Sequence, residues 1–452
     1  MTNEAAQFKK MTETPIQRLI ITLSIPTVIS MLVTSVYNMA DTYFVSKLGT
    51  SASGAVGVVF SLMAIIQAVG FTIGMGTGSM ISRLLGEQKE NEATEAASSA
   101  LFLGLSLGTA LAILCCFKIK DLMLLFGATQ TILPYAVSYA RYIIIGAPVM
   151  IGAFIFNNIL RSQGRAKYAM LGIASGGILN IALDPLFIFT FKLGTSGAAI
   201  ATLVSQCISF LILLIFCLTG KSLAKFKLTK ISRRPMIYLT ILKTGLPSLS
   251  RQGLSSVATM FLNRSARIYG DPAVAAMSIV GKIFMLIFAV MIGIGQGFQP
   301  VVGFNYGAKK YDRVKKAFLF TLVLGLSVMA VLGTPVYFAA DWLMARFTKN
   351  DMEVIEIGRL ALRLQCLALL FIPISTVCNM TYQTIGKSWT ATLLSCTRQG
   401  IFFIPLIWIL PAKYGLLGLQ LSQPVADLLS SIFCVPFGIK FLRDLKKASE
   451  KK

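Results

Sequence analysis

The stretch that decides the fold is Ile73 to Gly86, IGMGTGSMISRLLG, which returns 221 residues later at Ile294 to Gly307 as IGQGFQPVVGFNYG. At this offset, glycines of the first half fall on glycines of the second half: Gly49 on Gly270, Gly74 on Gly295, Gly76 on Gly297 and Gly86 on Gly307. The two halves align without a gap from residue 21 to residue 96, and Pro26 falls on Pro247. The chain is therefore built from two copies of one unit.

Both copies are strongly apolar. Hydrophobic residues make up 55% of the 452 residues and charged residues 13%, and the mean hydropathy is +0.74; soluble domains carry about 25% charged residues. Twelve apolar runs are long enough to cross a bilayer, which takes about 20 residues of helix. They lie at residues 19–46, 53–79, 93–117, 133–159, 167–191, 196–219, 237–268, 273–299, 314–340, 356–382, 388–410 and 414–438. The sequence predicts an all-α membrane protein with twelve transmembrane helices in two pseudo-symmetric six-helix lobes.

The repeat and the basic residues predict the domain limits and the topology. We expect an N-terminal lobe at residues 1–219, a basic cytoplasmic linker at 220–236, a C-terminal lobe at 237–440 and a basic cytoplasmic tail at 441–452. Six helices per lobe give both copies the same orientation in the membrane. With the N-terminus inside, the inner segments hold 26 Lys and Arg residues and the outer loops hold 7. The positive-inside rule therefore predicts two cytoplasmic termini, and the net charge of +24 reflects topology rather than a nucleic-acid surface.

The residue types that the sequence lacks exclude several kinds of functional site. The chain has no histidine, and its eight cysteines all lie within apolar runs without CxxC spacing, which argues against a metal centre or a disulfide framework. No nucleophile and base occur together in a pattern typical of a membrane enzyme. Two matching lobes with a cleft between them are typical of transporters. We therefore predict a transporter that needs no cofactor.

Three acidic residues lie well inside apolar runs: Asp41, Asp184 and Asp427. A charge at the bilayer centre costs about 2.5 to 3.5 kcal/mol on insertion scales, so each is a candidate functional residue. The repeat supplies an internal comparison, because Asp41 aligns with Leu262 and Asp184 aligns with Pro405. The fold itself therefore does not require an acid at either place.

The first-lobe acids are predicted to share one polar cluster. Counting along the helices places Asp41, Asp184 and Thr202 in the outer half of the membrane. Tyr37 precedes Asp41 by four residues and Asn180 precedes Asp184 by four, so each pair shares a helical face. Burial and an acidic neighbour both disfavour a charged carboxylate, which makes the cluster a candidate proton carrier. The same oxygens could also bind a sodium ion, and the sequence does not decide between a proton and sodium.

Plainer roles are open as well. Asp41 could snorkel to the outer interface, and Asp184 could hydrogen-bond the backbone loosened by Pro185. Arg141 lies in the outer third of a first-lobe helix, where it could hold an acid in a static ion pair or anchor the helix at the interface.

Asp427 is predicted to have a different role. It lies at about the same depth as Arg251 and Arg398, which favours a structural ion pair in the second lobe. Prolines within the runs are candidate hinges, although prolines are also ordinary kinks of membrane helices. The candidate hinges are Pro26, Pro185 and Pro247.

The chain resembles the multidrug and toxic compound extrusion (MATE) family, above all its prokaryotic DinF-like branch. The resemblance rests on the spacing from Pro26 to Asp41, on GIGQGFQPVVGFNYGAKK at 293–310 and on NIALDP at 180–185, and it covers nearly the whole chain. It implies a MATE-like fold in the prokaryotic inner (cytoplasmic) membrane and a monomer surrounded by lipid. It also implies export of cationic, amphipathic small molecules in exchange for inward protons or sodium ions.

The resemblance assigns roles to individual residues. Cation coupling, with a possible sodium site, is assigned to Asp41, Asn180, Asp184 and Thr202. Substrate contacts are assigned to Tyr37, Ser61, Tyr139, Asn157 and Asn158. Another branch of the family places acids in the second lobe, where this chain has Leu262 and Gln365, so the resemblance favours coupling in the first lobe.

The alternative function is a lipid-linked oligosaccharide flippase of the same superfamily. Such proteins use basic residues that face the central cavity to hold a pyrophosphate. The second lobe has basic residues that could serve this purpose: Arg251, Lys282, Arg363 and Arg398.

Overall fold

The structure is a computed structural model that describes residues 3–224, 226–348 and 351–450, and within these ranges it contains helices and no strand. The all-α prediction is thus confirmed for the described chain. Helices are expected in a bilayer because each helix satisfies its own backbone hydrogen bonds. Four of the basic residues used for the topology lie outside the described ranges: Lys225, Lys349, Lys451 and Lys452.

Eight α-helices form the first half. They are α1 (Asn3–Glu13), α2 (Ile16–Ser46), α3 (Thr50–Gly86), α4 (Glu90–Phe117), α5 (Ile119–Leu125), α6 (Leu133–Ser162), α7 (Ala166–Pro185) and α8 (Gly194–Leu218). A π-helix at Leu186–Thr190 prolongs α7 directly after Pro185. Helices α2, α3, α4, α6, α7 and α8 coincide with the six predicted runs, whereas the short helices α1 and α5 were not predicted.

Eight further α-helices form the second half. They are α9 (Pro235–Arg267), α10 (Asp271–Gly307), α11 (Tyr311–Phe338), α12 (Ala340–Thr348), α13 (Met352–Leu369), α14 (Ile372–Thr384), α15 (Ser388–Cys396) and α16 (Ile404–Glu450). A π-helix at Thr397–Phe403 joins α15 to α16, and a short 3₁₀-helix lies in the linker at Leu228–Lys230. The predicted cytoplasmic tail is helical up to Glu450, as the end of α16.

The described helices account for twelve spans. Nine are long and apolar enough to cross a membrane, and the pair α13 and α14, bent by 50°, adds a tenth. One of the nine, Ser388–Glu450, is interrupted at Gly415, whose backbone is not helical (φ 60°), so it contains two spans. Helix α9 has 33 residues but carries basic residues along its length, and it completes the predicted number.

The two halves pack together through backbone contacts at glycines. Helix α3 packs on α9, and its repeat counterpart α10 packs on α2. A Cβ atom at Gly76 would collide with the backbone carbonyl of Ile241. One at Gly245 would collide with the backbone carbonyl of Thr72. Only glycine allows so close an approach. We call this contact the glycine seam, formed by Gly76, Gly86, Gly245, Gly293, Gly297 and Gly307.

The glycine seam lies at one end of the bundle. Its glycines belong to the first part of α9 and to the last parts of α3 and α10, and Gly293 and Gly297 meet Val28 and Ser24 near the start of α2. Since α2 and α9 begin where α3 and α10 finish, these contacts all lie on one side of the membrane. The hydroxyl of Thr27 reinforces the seam by donating to the carbonyl of Gly293 at 2.6 Å. By the predicted topology, this side is cytoplasmic.

Helix α1 and the residues after it form a strap across the same end. Gln7 donates to the carbonyl of Gln163 in the first half at 2.9 Å. From the second half, Asn305 donates to the carbonyl of Met11 at 3.0 Å and Arg313 to that of Thr14 at 2.6 Å. The strap therefore bonds to both halves where the seam is closed.

Candidate functional site

Helices α2 and α6 bring an acid and a phenol together inside the first half. Asp41, on α2, has 8% of its surface exposed. The hydroxyl of Tyr139, on α6, donates to Asp41 Oδ2 at 3.0 Å. Asp41 is therefore held among the helices and does not snorkel to the interface.

The second acid, Asp184, is fully buried near the end of α7. The amide of Asn180, one turn earlier, donates to Asp184 Oδ1 at 3.2 Å and to Thr202 Oγ1 on α8 at 3.3 Å. The four-residue spacing thus places the amide and the acid side by side, as the helical period requires. Pro185 and the π-helix follow immediately, so the acid lies where the regular helix ends.

These residues form one network, which we call the acidic cluster: Asp41, Tyr139, Asn180, Asp184 and Thr202. The Thr202 side chain lies close enough to the Tyr139 hydroxyl to interact with it, which brings the pair from α2 and α6 next to the pair from α7 and α8. Asp184 lies within electrostatic range of Asp41. The four residues predicted for coupling are therefore close together in the structure, joined through Tyr139.

The acidic cluster contains more buried oxygens than donors. Asp41 Oδ1, Asn180 Oδ1 and Asp184 Oδ2 are buried without a hydrogen-bond partner, as is the nearby Ser205 hydroxyl. Each such group costs about 1 to 3 kcal/mol, and more when charged, and two neighbouring carboxylates also repel each other. A bound proton or a hard monovalent cation such as sodium would offset both penalties.

The donor set does not suit a transition metal. Within the described ranges, no three His, Cys, Asp or Glu side chains lie close enough to share a metal ion. Two carboxylates and an amide match sodium or a proton better than zinc or copper, which prefer nitrogen and sulfur ligands.

The residues predicted to contact substrate are spread over the first half. Tyr37 is buried on α2 one turn before Asp41, and it lines a small cavity between α2, α6, α7 and α8. Ser61 is exposed on α3. Asn157 and Asn158 lie on α6 about 27 Å beyond Tyr139, at 1.5 Å per residue. The five residues therefore do not line one chamber in this structure.

Asn157 makes a contact that recurs in both halves. Its amide donates to the carbonyl of Ala169 at 3.0 Å, and in the second half Asn379 donates to the carbonyl of Ala391 at 2.6 Å. The bond ties α6 to α7 in one half and α14 to α15 in the other. Because it is repeated, this interaction belongs to the fold of the unit.

Arg141 does not neutralise the acidic cluster. It is exposed, and in the described part of the chain it forms no ion pair with a carboxylate. It lies two positions after Tyr139, which turns its side chain about 200° around α6. The static ion pair considered from the sequence is therefore not formed.

The buried acid of the second half is fully bonded. Arg398 donates to Asp427 at 2.6 Å, and Gln365 and Gln423 donate at 2.9 Å and 2.8 Å. The Arg398 guanidinium also lies 4.5 Å from the ring centre of Phe288. The predicted structural ion pair of Asp427 is present, in contrast to the unpartnered oxygens of the first half.

Some of the basic residues proposed to hold a pyrophosphate already bond to other side chains of the protein. Arg398 is paired with Asp427, and Arg363 with Asp341 at 2.9 Å. Arg251 donates to the amide oxygen of Asn379 at 3.3 Å. Because two of these guanidinium groups are already neutralised, the arrangement favours the flippase alternative less than the sequence did.

Sequence reasoning missed Arg161, which it counted among the cytoplasmic loop residues. In the structure only 4% of its surface is exposed, and it lies in the last turn of α6. A signal was present, since Asn157 and Asn158 precede it by one helical turn and continue a polar face into the apolar run.

Known proteins resemble the chain over almost its full length. The sequence profile of the MatE family matches residues 26–186 and again residues 247–409, and the two matches begin one repeat offset apart. The multidrug export protein MepA of Staphylococcus saprophyticus is 26% identical over 412 residues, which are 90% of each chain. The MATE protein in a crystal structure with MaL6 is 28% identical in sequence to this chain. The two structures superpose with a TM-score of 0.93, and the match covers 99% of this chain and 100% of the other. A multidrug resistance MATE family transporter of the MOP superfamily, in an outward-facing conformation, is 28% identical with a TM-score of 0.93, and 99% of each chain is covered.

Proposed function

Because this chain belongs to the MatE family of membrane transporters, we propose that it is a secondary active antiporter, which exports cationic amphipathic compounds in exchange for inward protons or sodium ions. The observation that carries the proposal is the acidic cluster, with its buried carboxylate oxygens left without donors. The similarity to the multidrug export protein MepA supports multidrug export.

Coupling would work through the charge of the acidic cluster. Without a bound ion, Asp41 and Asp184 attract a cationic substrate into the first lobe. A proton or sodium ion that enters from outside removes the negative charge, and the substrate is released outward. Return of the ion to the cytoplasm restores the affinity for the next substrate. An ion that binds one conformation better than the other shifts the equilibrium between them by that difference in affinity.

Helix α2 is placed to connect ion binding with opening of the transporter. Its outer part carries Asp41, and its inner part, on both sides of Pro26, meets α10 at the glycine seam. Proline removes a backbone hydrogen bond and lets a helix bend. We assign the hinge of this movement to Pro26, with Pro185 beside the acid and Pro247 at the corresponding place in α9.

The glycine seam would form the cytoplasmic gate, with both termini in the cytoplasm as the basic residues indicate. Closed at this end, the chain corresponds to an outward-facing state, which its similarity to an outward-facing MATE transporter supports. Tyr37, Ser61 and Tyr139 would meet substrate in the outer part of the cleft. Asn157 and Asn158, nearer the seam, would meet it only when the seam opens.

The available driving force suits this function. One charge crossing 100 mV gains about 2.3 kcal/mol, so a proton driven by about 150 mV supplies roughly 3.5 kcal/mol. Since about 1.4 kcal/mol corresponds to a tenfold ratio, one proton sustains a few-hundred-fold gradient of a neutral solute.

The test is dye efflux from proteoliposomes under separately imposed proton and sodium gradients. We expect one of the two gradients to drive efflux by the wild type, and Asp41→Asn and Asp184→Asn to abolish the coupled component. Asp312→Asn, a change of an exposed acid on α11, is the matched control and should behave as the wild type. Full coupled efflux in both cluster variants would refute the proposal.

A further inference from the structure

Arg161 is a buried cation without an anion. Its guanidinium donates to Gln296 and Asn158 and contacts the sulfur of Met75, all of which are neutral. In the described ranges, no carboxylate lies within ion-pair distance of it. Burying an uncompensated charge costs several kcal/mol, so a counter-ion at this place would be strongly favoured.

The charged residue nearest in effect to Arg161 is also positive, so it adds to the excess of positive charge. The side chain that interacts with it electrostatically is Arg251, another cation. Arg251 donates to the neutral amide oxygen of Asn379. The potential around Arg161 is therefore positive, and it attracts an anion.

A second group beside Arg161 also lacks an acceptor. Gln299 has 7% of its surface exposed, and its amide nitrogen Nε2 is buried without a partner. Gln299 and Arg161 line the same small cavity, together with the Ser79 side chain. A cavity that holds a guanidinium and a free N–H donor is complementary to an anion, because neither group can accept a hydrogen bond.

The fold of the repeat does not require this charge. The bond from Asn157 to Ala169 in the first half recurs in the second half as the bond from Asn379 to Ala391. Counting four residues on from Asn157 and from Asn379 shows that Gln383 is the residue equivalent to Arg161. Gln383 is neutral, and its amide donates to the carbonyl of Thr244 and to the Ser248 hydroxyl within the second half. The cation is thus a property of one half only.

We propose that the cavity between Arg161 and Gln299 binds one small monovalent anion, of the size and charge of chloride. The small volume excludes a lipid phosphate, and a single negative charge balances the guanidinium. Arg161 lies on α6 of the first half, and Gln299 on α10 of the second. The anion therefore bridges the two halves beside the glycine seam and stabilises the state in which the seam is closed.

Binding of radioactive chloride to the purified full-length protein, measured by equilibrium dialysis, tests the proposal directly. Sodium is held constant, and gluconate replaces chloride where chloride is lowered, so the acidic cluster experiences no change. The wild type should bind one chloride per chain. Gln299→Leu should weaken binding at least about tenfold, since a hydrogen bond to a charged group is lost, and Arg161→Gln should abolish it. Gln252→Leu, on α9, is the matched control and should bind as the wild type.

Two further measurements separate binding from folding. Gln299→Leu removes a donor that is unused in the protein, so its melting temperature in gluconate should equal that of the wild type. Gly245→Ala should weaken chloride binding, because it forces apart the halves that form the site, whereas Gly253→Ala should not. Absence of saturable chloride binding, or equal binding in the wild type and Gln299→Leu, would overturn the proposal whichever ion drives transport.

Discussion

The Tyr139 hydroxyl donates a hydrogen bond of 3.0 Å to Asp41 Oδ2, and this bond joins α6 to the acid of α2 inside the first half. It is the one hydrogen bond to the Asp41 carboxylate in the described part of the chain, since Oδ1 has no partner. The Tyr139 hydroxyl thus stabilises the charged form of Asp41, the acid to which we propose that the coupling ion binds.

Removal of this hydroxyl should change the pH dependence of transport. Tyr139→Phe keeps the ring but deletes a donor that stabilises charged Asp41, so protonation of the cluster becomes easier. If protons drive transport, the pH profile of efflux should move to higher pH. Tyr135→Phe changes an exposed tyrosine one turn earlier on α6 and should leave the profile in place. An identical profile for Tyr139→Phe and the wild type would argue against a role for this bond in coupling.

The glycine seam should not tolerate a side chain. Gly245→Ala places a methyl group against the backbone carbonyl of Thr72, and two rigid helices can accommodate it only by moving apart. We expect the ends of α3 and α9 that meet at the seam to separate, as measured by spin-label distances between the halves. Gly253→Ala lies on the same helix, where a Cβ meets nothing within 4 Å. Unchanged distances in Gly245→Ala would mean that the seam is not a gate.

The Asp427 ion pair should contribute to stability and not to coupling. Asp427→Asn leaves the mostly buried Arg398 without its counter-charge, and breaking a buried pair in this way costs up to about 3 to 5 kcal/mol. The melting temperature should fall, while efflux by the protein that remains folded should keep its ion dependence. Replacing both partners, as Asp427→Leu with Arg398→Met, should recover much of the stability. Loss of ion dependence in a well-folded Asp427→Asn protein would show that the second half also takes part in coupling.

The strap should loosen when one of its bonds to the second half is cut. Arg313→Ala removes the hydrogen bond to the Thr14 carbonyl, and a bond from a charged donor is worth about 1.5 to 3 kcal/mol. Hydrogen exchange of Asn3–Glu13 should become at least about tenfold faster. Lys315→Ala, an exposed change on the same helix, should leave the exchange rate unchanged, and equal rates in both variants would contradict the role of the strap.

Much of the fold follows from the sequence because a long apolar run crosses a bilayer as an α-helix, which satisfies its own backbone hydrogen bonds. The six runs of the first half each became a helix, and the run at 356–382 became the bent pair α13 and α14. Helix α1 was missed because it carries no apolar run and is held by hydrogen bonds to distant residues. The joining of the last two runs in α16 was missed as well. Hydropathy shows where an apolar run stops, but it does not show whether the backbone turns there or continues as a kinked helix, as it does at Gly415.

The candidate site was predictable in part. Helical spacing placed Asn180 beside Asp184, because side chains four residues apart share a face. It could not show that Tyr139 bonds to Asp41, which depends on how α6 packs against α2. Nor could it show that Arg161 is buried, because a basic residue at the end of an apolar run usually faces water. Contacts between helices decided both cases.

The most direct test of the acidic cluster is the affinity of the purified protein for a cationic dye, measured at rising proton concentration and, separately, at rising sodium concentration. We expect one of the two ions to weaken dye binding to the wild type at least about tenfold, as competition for one negative site requires. In the double variant Asp41→Asn with Asp184→Asn, neither ion should change the dye affinity. The same ion dependence in this variant as in the wild type would contradict the account.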